Sequence, residues 1–157
     1  GDLTAAGRSF ADIESKRSSL AGMVDGREFS GFRDTDTHLS LFLEAIVADG
    51  HVWIPLDAIK ELSISPPKTL FDLLWSPARL TTRQDVGISC LLPVLYPNSF
   101  THEDDRVKLG RMTDWISLGD SFLKGVGQHV FTIGDEEKAI LEIREVVFAH
   151  SGDTKES

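Results

Sequence analysis

Residues 65–80, SPPKTLFDLLWSPARL, constrain the fold more than any other stretch of this sequence. Pro66 and Pro67 open it, and Thr69 with Asp72 three positions later has the spacing of a reciprocal helix cap. Leu70, Phe71, Leu73, Leu74 and Trp75 follow, and Pro77 disfavours helical backbone at Ser76. That leaves space for about two helical turns, and an isolated helix needs roughly 12 residues to be even marginal. The apolar residues also go round all sides, as in a helix buried on more than one face. The stretch therefore predicts a short plug helix packed between the strands before and after it.

Around that plug the signals are mostly those of strands and tight turns. Asp25-Gly26 and Asp49-Gly50 are hairpin dipeptides. Residues 39–47 fit both periods, but the second Asp-Gly, followed at once by His51-Val52-Trp53-Ile54-Pro55, favours a hairpin. Further strands are expected at 60–65, 78–83, 86–96, 113–118, 128–133 and 139–148, with Pro93 marking an edge or a bulge. Residues 33–37 and 97–105 read as loops, the second followed by a short helix. Before all this, 5–20 has helical spacing (Phe10, Ile13, Glu14, Arg17) and Gly22 as a stop. The expected class is α+β: an N-terminal helix over 1–22, then a β-rich domain over 23–150. That domain is a curled antiparallel sheet or small partly open barrel with the short helix inserted. Residues 151–157 are expected to be a disordered tail. A first residue Gly1 in place of methionine suggests a piece of something longer.

The length of 157 residues suits one domain with a core of its own. Sixteen basic against 25 acidic side chains leave a net charge of −9, with acids grouped at 103–105 and 135–137. Phosphate neutralisation needs a basic patch, so a nucleic-acid or anionic-membrane partner is not expected. Nothing resembles a signal peptide or an apolar run of the ~18 residues that span a membrane. The single Cys90 excludes an internal disulfide, suits a reducing compartment, and reads as a small buried hydrophobe. A cytoplasmic location is the expectation.

The search for chemistry gives little. His38, His51, His102, His129 and His150 show no HxH, HxxxH or HExxH spacing for a shared metal. Asp34-Thr35-Asp36 resembles the start of a calcium loop, but Leu39 stands where that loop needs glycine. The glycine-rich stretch 119–127 with Lys124 matches neither a phosphate loop nor a dinucleotide loop, and no GxSxG occurs. No catalytic residue, cofactor or metal is expected. One enzyme-like alternative remains: a small-molecule-binding or hydrolytic domain built on the 119–127 turn with Asp114 and His129. Among Trp53, Trp75 and Trp115, the second reads as core, while the others fit either core or partner contact.

Several ordered motifs resemble one family. They are Val52-Trp53-Ile54-Pro55, Ile59, Pro67 with Leu70, Asp72-Leu73, Trp75 and Pro77-Ala78, then Tyr96-Pro97-Asn98-Ser99. Leu109-Gly110-Arg111, Thr113-Asp114-Trp115, Gly125, Gly127-Gln128 and Leu141-Glu142-Ile143-Arg144-Glu145 continue the series. The chain resembles the C-terminal domain of the ImpE family, also called TagJ or SciE, from about 22 to 148. Residues 3–20 resemble the end of the tetratricopeptide-like helical region that precedes it. Ser40-Leu41-Phe42 departs from the Gly-Pro pair expected there. The resemblance implies a cytoplasmic accessory protein of bacterial type VI secretion, without known catalysis. Its implied partner is the small subunit of the contractile sheath, through that subunit's N-terminal helix. Trp53, Phe71 and Trp115 are the candidate partner-binding residues. The alternative is a structural cap for a helical repeat array.

Overall fold

Asp25 and Gly26 both take positive φ, 48° and 81°, which is the two-residue turn that matches the twist of paired strands. They join β1 (Ala21–Val24) to β2 (Arg27–Ser30), and Gly31 leads into β3 (Phe32–Asp34). A computed structural model describes residues 20–48 and 50–150. Residues 1–19 of the expected N-terminal helix and the expected tail lie outside these; Leu20 is in neither helix nor strand, and Ala21 and Gly22 belong to β1.

The chain continues through β4 (Phe42–Val47), β5 (Gly50–Pro55), a 3₁₀ turn at Leu56–Ala58, and β6 (Ile59–Ile64). After the 3₁₀ turn Phe71–Leu73 come β7 (Trp75–Thr82) and β8 (Gly87–Pro93). A 3₁₀ turn at Ser99–Thr101 and the single α-helical turn α1 (Asp105–Lys108) precede β9 (Thr113–Ser117) and β10 (Leu123–Gly127). Then follow β11 (Val130–Ile133), β12 (Glu136–Ala139), the 3₁₀ turn Ile140–Glu142 and β13 (Glu145–Phe148). Every strand pair is antiparallel. An eight-stranded sheet runs β2-β1-β13-β6-β7-β8-β4-β5, beside a three-stranded sheet β12-β11-β3 and the two-stranded ribbon β9-β10. The large sheet leaves β2 and β5 as edges and does not close.

This corrects the α+β expectation. Strand accounts for 52% of the described residues and helical turns for 12%, so their class is mostly β. The plug helix is a correction too. The Thr69–Asp72 cap does form: Asp72 Oδ2 accepts the Lys68 and Thr69 N–H groups at 2.9 and 3.2 Å, and Thr69 Oγ1 accepts the Asp72 N–H. But it nucleates only one 3₁₀ turn, with Leu70 84% and Phe71 56% exposed. The reason is competition for backbone. From Trp75 onward the chain pairs with β8, and from Ala78 with β6 as well, so ladder bonds replace the helix's second turn. The expected strand over 139–148 is likewise broken by the 3₁₀ turn Ile140–Glu142, and 119–127 contains a strand in place of a simple turn. Pro93 ends an interior strand, opposite Trp75, instead of marking an edge.

The core lies where the large sheet meets the small one. Phe32 of β3 sits 5.2 Å from Phe148 of β13 and 5.3 Å from Phe131 of β11, measured between ring centroids. Leu80, Leu92, Val94, Ile59, Ala45 and Val146 are fully buried around them. Gly22 sits where three strands cross register, opposite both Phe148 and Phe29. A Cβ there would overlap the Val147 carbonyl oxygen. Gly22→Ala is therefore expected to cost about 3 kcal/mol of stability. A urea melt with an unchanged midpoint would show that the β1–β13 seam is looser than described.

Candidate functional site

Between β3 and β4 the segment 34–37, Asp-Thr-Asp-Thr, places four polar side chains in succession at the junction of the sheets. Asp34 is 2% exposed and spends both carboxylate oxygens. Its Oδ1 accepts the Tyr96 hydroxyl at 2.6 Å and the Asp36 N–H at 2.9 Å. Its Oδ2 lies 2.8 Å from Nδ1 of His129, just ahead of β11 and 3% exposed. On the other side of that imidazole, Nε2 stands 3.3 Å from Glu44 Oε2 on β4. The distance suits an ion pair, although neither atom has a well-aligned hydrogen bond. Glu44 Oε1 pairs with Nε2 of His51 on the edge strand β5. Because Glu44 faces Trp53 in register and Ile46 faces His51, Glu44 and His51 are diagonal neighbours across the β4–β5 pair. The Tyr96 ring lies against His129, centroids 4.0 Å apart.

Burial by itself opposes a charge on His129, but the Asp34 hydrogen bond and the attraction of the Asp34 and Glu44 carboxylates outweigh it and push its pKa from 6.5 to about 9. Burial raises the Glu44 carboxyl, yet His129 and His51 together bring it below its ordinary value. Burial and the Asp34 carboxylate push the Tyr96 phenol up, so it remains a donor. The arrangement is an imidazolium clamped between two carboxylates inside the protein. Its ring is 3% exposed and lies against Tyr96.

The rest of the segment fastens the β9–β10 ribbon. A lone two-stranded ribbon is marginal in water, so it needs anchors. Thr35 Oγ1 accepts the Trp115 indole N–H at 2.9 Å, and Asp36 Oδ2 accepts the Gly125 N–H at 2.9 Å. Thr37 Oγ1 accepts the Leu123 N–H at 2.8 Å, while its own N–H reaches the Leu123 carbonyl. Gly125 lies directly on the Tyr96 ring, where any Cβ would overlap it. So pinned, the ribbon shows Trp115, Ile116, Leu118 and Leu123 to solvent.

The three candidate contact residues stand on three elements. Trp53 is 53% exposed on β5, Phe71 56% exposed in the turn before β7, and Trp115 37% exposed on the ribbon. Trp75, expected in the core, is only half-buried. Cys90 is buried, and burial pushes its thiol up, which keeps it neutral and unreactive. Of the residues of the enzyme-like alternative, Asp114 Oδ2 pairs with His102 Nε2 at 3.1 Å and His129 with Asp34 and Glu44, so the two are not paired with each other. Among the described residues no group of three His, Cys, Asp or Glu is placed to hold a metal ion. Nor is any described helix long and apolar enough to cross a membrane. Sequence reasoning missed the buried cluster. Asp34, Glu44, Tyr96 and His129 are far apart in the chain, and no local spacing signals their convergence.

A family model described as ImpE protein matches residues 26–147. The chain belongs to the ImpE family. The matched span contains every member of the ionic cluster. This ImpE chain is 34% identical over 130 residues to the type VI secretion system accessory component TagJ of Pseudomonas aeruginosa, covering 83% of the chain and 45% of that protein. Its fold is also that of a crystallised Vibrio parahaemolyticus protein, with a TM-score of 0.83 at 23% identity over 95% of this chain and 56% of the other. The chain thus spans about half the length of the relatives it matches.

The ion cluster should set the pH profile of stability. His129 titrates higher folded than unfolded, so its contribution is complete below 6.5 and is lost as pH rises through about 9. Glu44 titrates lower folded than its ordinary 4.5, so its contribution is present above 4.5 and is lost as pH falls. Melting temperature against pH should therefore fall on both sides of a plateau. His129→Ala should remove the alkaline limb and cost about 3–5 kcal/mol, the usual penalty for stranding buried charge. An unchanged alkaline limb in the variant would contradict the assignment.

Proposed function

We propose that this chain is the β-rich module of a type VI secretion accessory component, acting in the cytoplasm through protein–protein contact without catalysis. Its partner is the N-terminal helix of the sheath small subunit. The observation carrying this reading is the exposure of large apolar anchors on a family member related to a secretion accessory component. Trp53, Phe71 and Trp115 all stand in solvent, and Leu70, Leu73 and Leu74 surround Phe71 in sequence and are exposed with it. Aromatic anchors of this kind dominate binding energy at interfaces, and an amphipathic helix presents the apolar stripe that such anchors receive. The one buried histidine with two carboxylate partners is sealed from any substrate, in keeping with a binding role.

Calorimetric titration of the chain with a peptide from the sheath helix tests this. Micromolar binding is expected, weakened by about tenfold, or 1.4 kcal/mol, in Trp53→Ala or Phe71→Ala. Binding by the full-length protein but not by this chain would overturn the reading and leave the module as a cap for the helical region.

A further inference from the structure

The two exposed tryptophans are the ends of one continuous chain of contacts through the core. The Trp115 indole N–H donates to Thr35 Oγ1 at 2.9 Å, and that hydroxyl lies 3.1 Å from the Tyr96 hydroxyl. Tyr96 donates to Asp34 Oδ1 at 2.6 Å, and Asp34 Oδ2 meets His129 Nδ1 at 2.8 Å. His129 Nε2 faces Glu44 Oε2 at 3.3 Å, and the other Glu44 oxygen bonds His51. The His51 ring then meets Trp53 edge to face, with centroids 6.5 Å apart.

The groups facing His129 come from several elements: Asp34 from β3, Glu44 from β4, Tyr96 from the segment after β8, and Phe131 from β11. His51 of β5 acts through Glu44. Asp36 is near but spent, its oxygens taken by the N–H groups of His38, Leu39 and Gly125. An imidazolium has two N–H donors, one for each carboxylate, whereas a neutral imidazole has one. On losing its proton, His129 can no longer serve both Asp34 Oδ2 and Glu44 Oε2, and two buried carboxylates then face each other across an uncharged ring, with Asp34 Oδ1 still held by Tyr96 and Asp36 and Glu44 Oε1 by His51. A change at Asp34 is passed through Tyr96 and Thr35 to the Trp115 indole, and a change at Glu44 through His51 to Trp53.

We infer that the His129 proton is shared by both tryptophan ends of the candidate partner surface, so that one titration at the centre alters the surroundings of the Trp115 indole and of Trp53. Its use in regulation rests on the partner reading proposed above, but the shared titration itself does not, and its test needs no partner. Amide-type ¹H–¹⁵N spectra of the whole chain, recorded from neutral to alkaline pH, resolve the indole N–H of each tryptophan. The Trp53 and Trp115 signals are expected to move with one midpoint while Trp75, outside the chain of contacts, stays still. His51→Ala removes the exposed ring that pairs with Glu44 and touches Trp53, and the Trp75 signal reports whether the fold is kept. Because Glu44 then serves His129 alone, the Trp115 midpoint should rise by about half a pH unit or more, although Trp115 never touches His51. Separate midpoints, a Trp115 transition unmoved by His51→Ala, or a joint movement of all three tryptophans as in general unfolding would each overturn the inference. Failure of the sheath peptide to bind would leave these spectra unchanged and would count only against the partner reading.

Discussion

The ion pair of His129 with Asp34 and Glu44 is the contact on which the arrangement of this protein depends. It joins the end of β3 in the small sheet to β4 in the large one, through a residue whose N–H binds the Val94 carbonyl next to β8. Burying charge is expensive, and partnered charge is rarely better than a well-packed apolar core for stability alone. What it adds is direction. Greasy contacts between Phe32, Phe131 and Phe148 hold the two sheets together but tolerate sliding; two carboxylates on opposite sides of one ring fix the position.

That fixed point lets the polar segment after β3 do two tasks. Asp34 faces inward and closes the ionic cluster with Tyr96, while Thr35, Asp36 and Thr37 face the ribbon and supply the bonds that it cannot make for itself. The ribbon approaches closely because Gly125 has no side chain to lift it off the Tyr96 ring. Core charge and exposed aromatic surface are therefore linked through four consecutive residues. A module that presents rigid aromatic anchors loses less freedom on binding than one whose ribbon must first be ordered.

Local chemistry was legible in the sequence; what the chain does with it at distance was not. The Asp25-Gly26 turn formed as expected because both residues tolerate positive φ and nothing else competes for them. The Thr69–Asp72 cap also formed, yet the helix it announces stops after one 3₁₀ turn, because strand pairing from Trp75 wins the backbone. The apolar residues Leu70, Phe71, Leu73 and Leu74 suit a buried helix in the sequence but stand in solvent in the structure, and that exposed surface is the main functional clue. The family motifs led to the right family, since their order is a global property of the chain. The cluster escaped because Asp34 looked like a loop acid and His129 like a strand's first residue. The register of β3 against β11 brings Asp34 to His129.

A charged imidazole in the interior underlies this arrangement, and the ring nitrogens of His129 report it directly. A long-range ¹H–¹⁵N spectrum near neutral pH should show both nitrogens of His129 protonated. A neutral His129, with one nitrogen bare at neutral pH, would mean that Asp34 and Glu44 are not clamping a cation and that the link between the sheets has another cause.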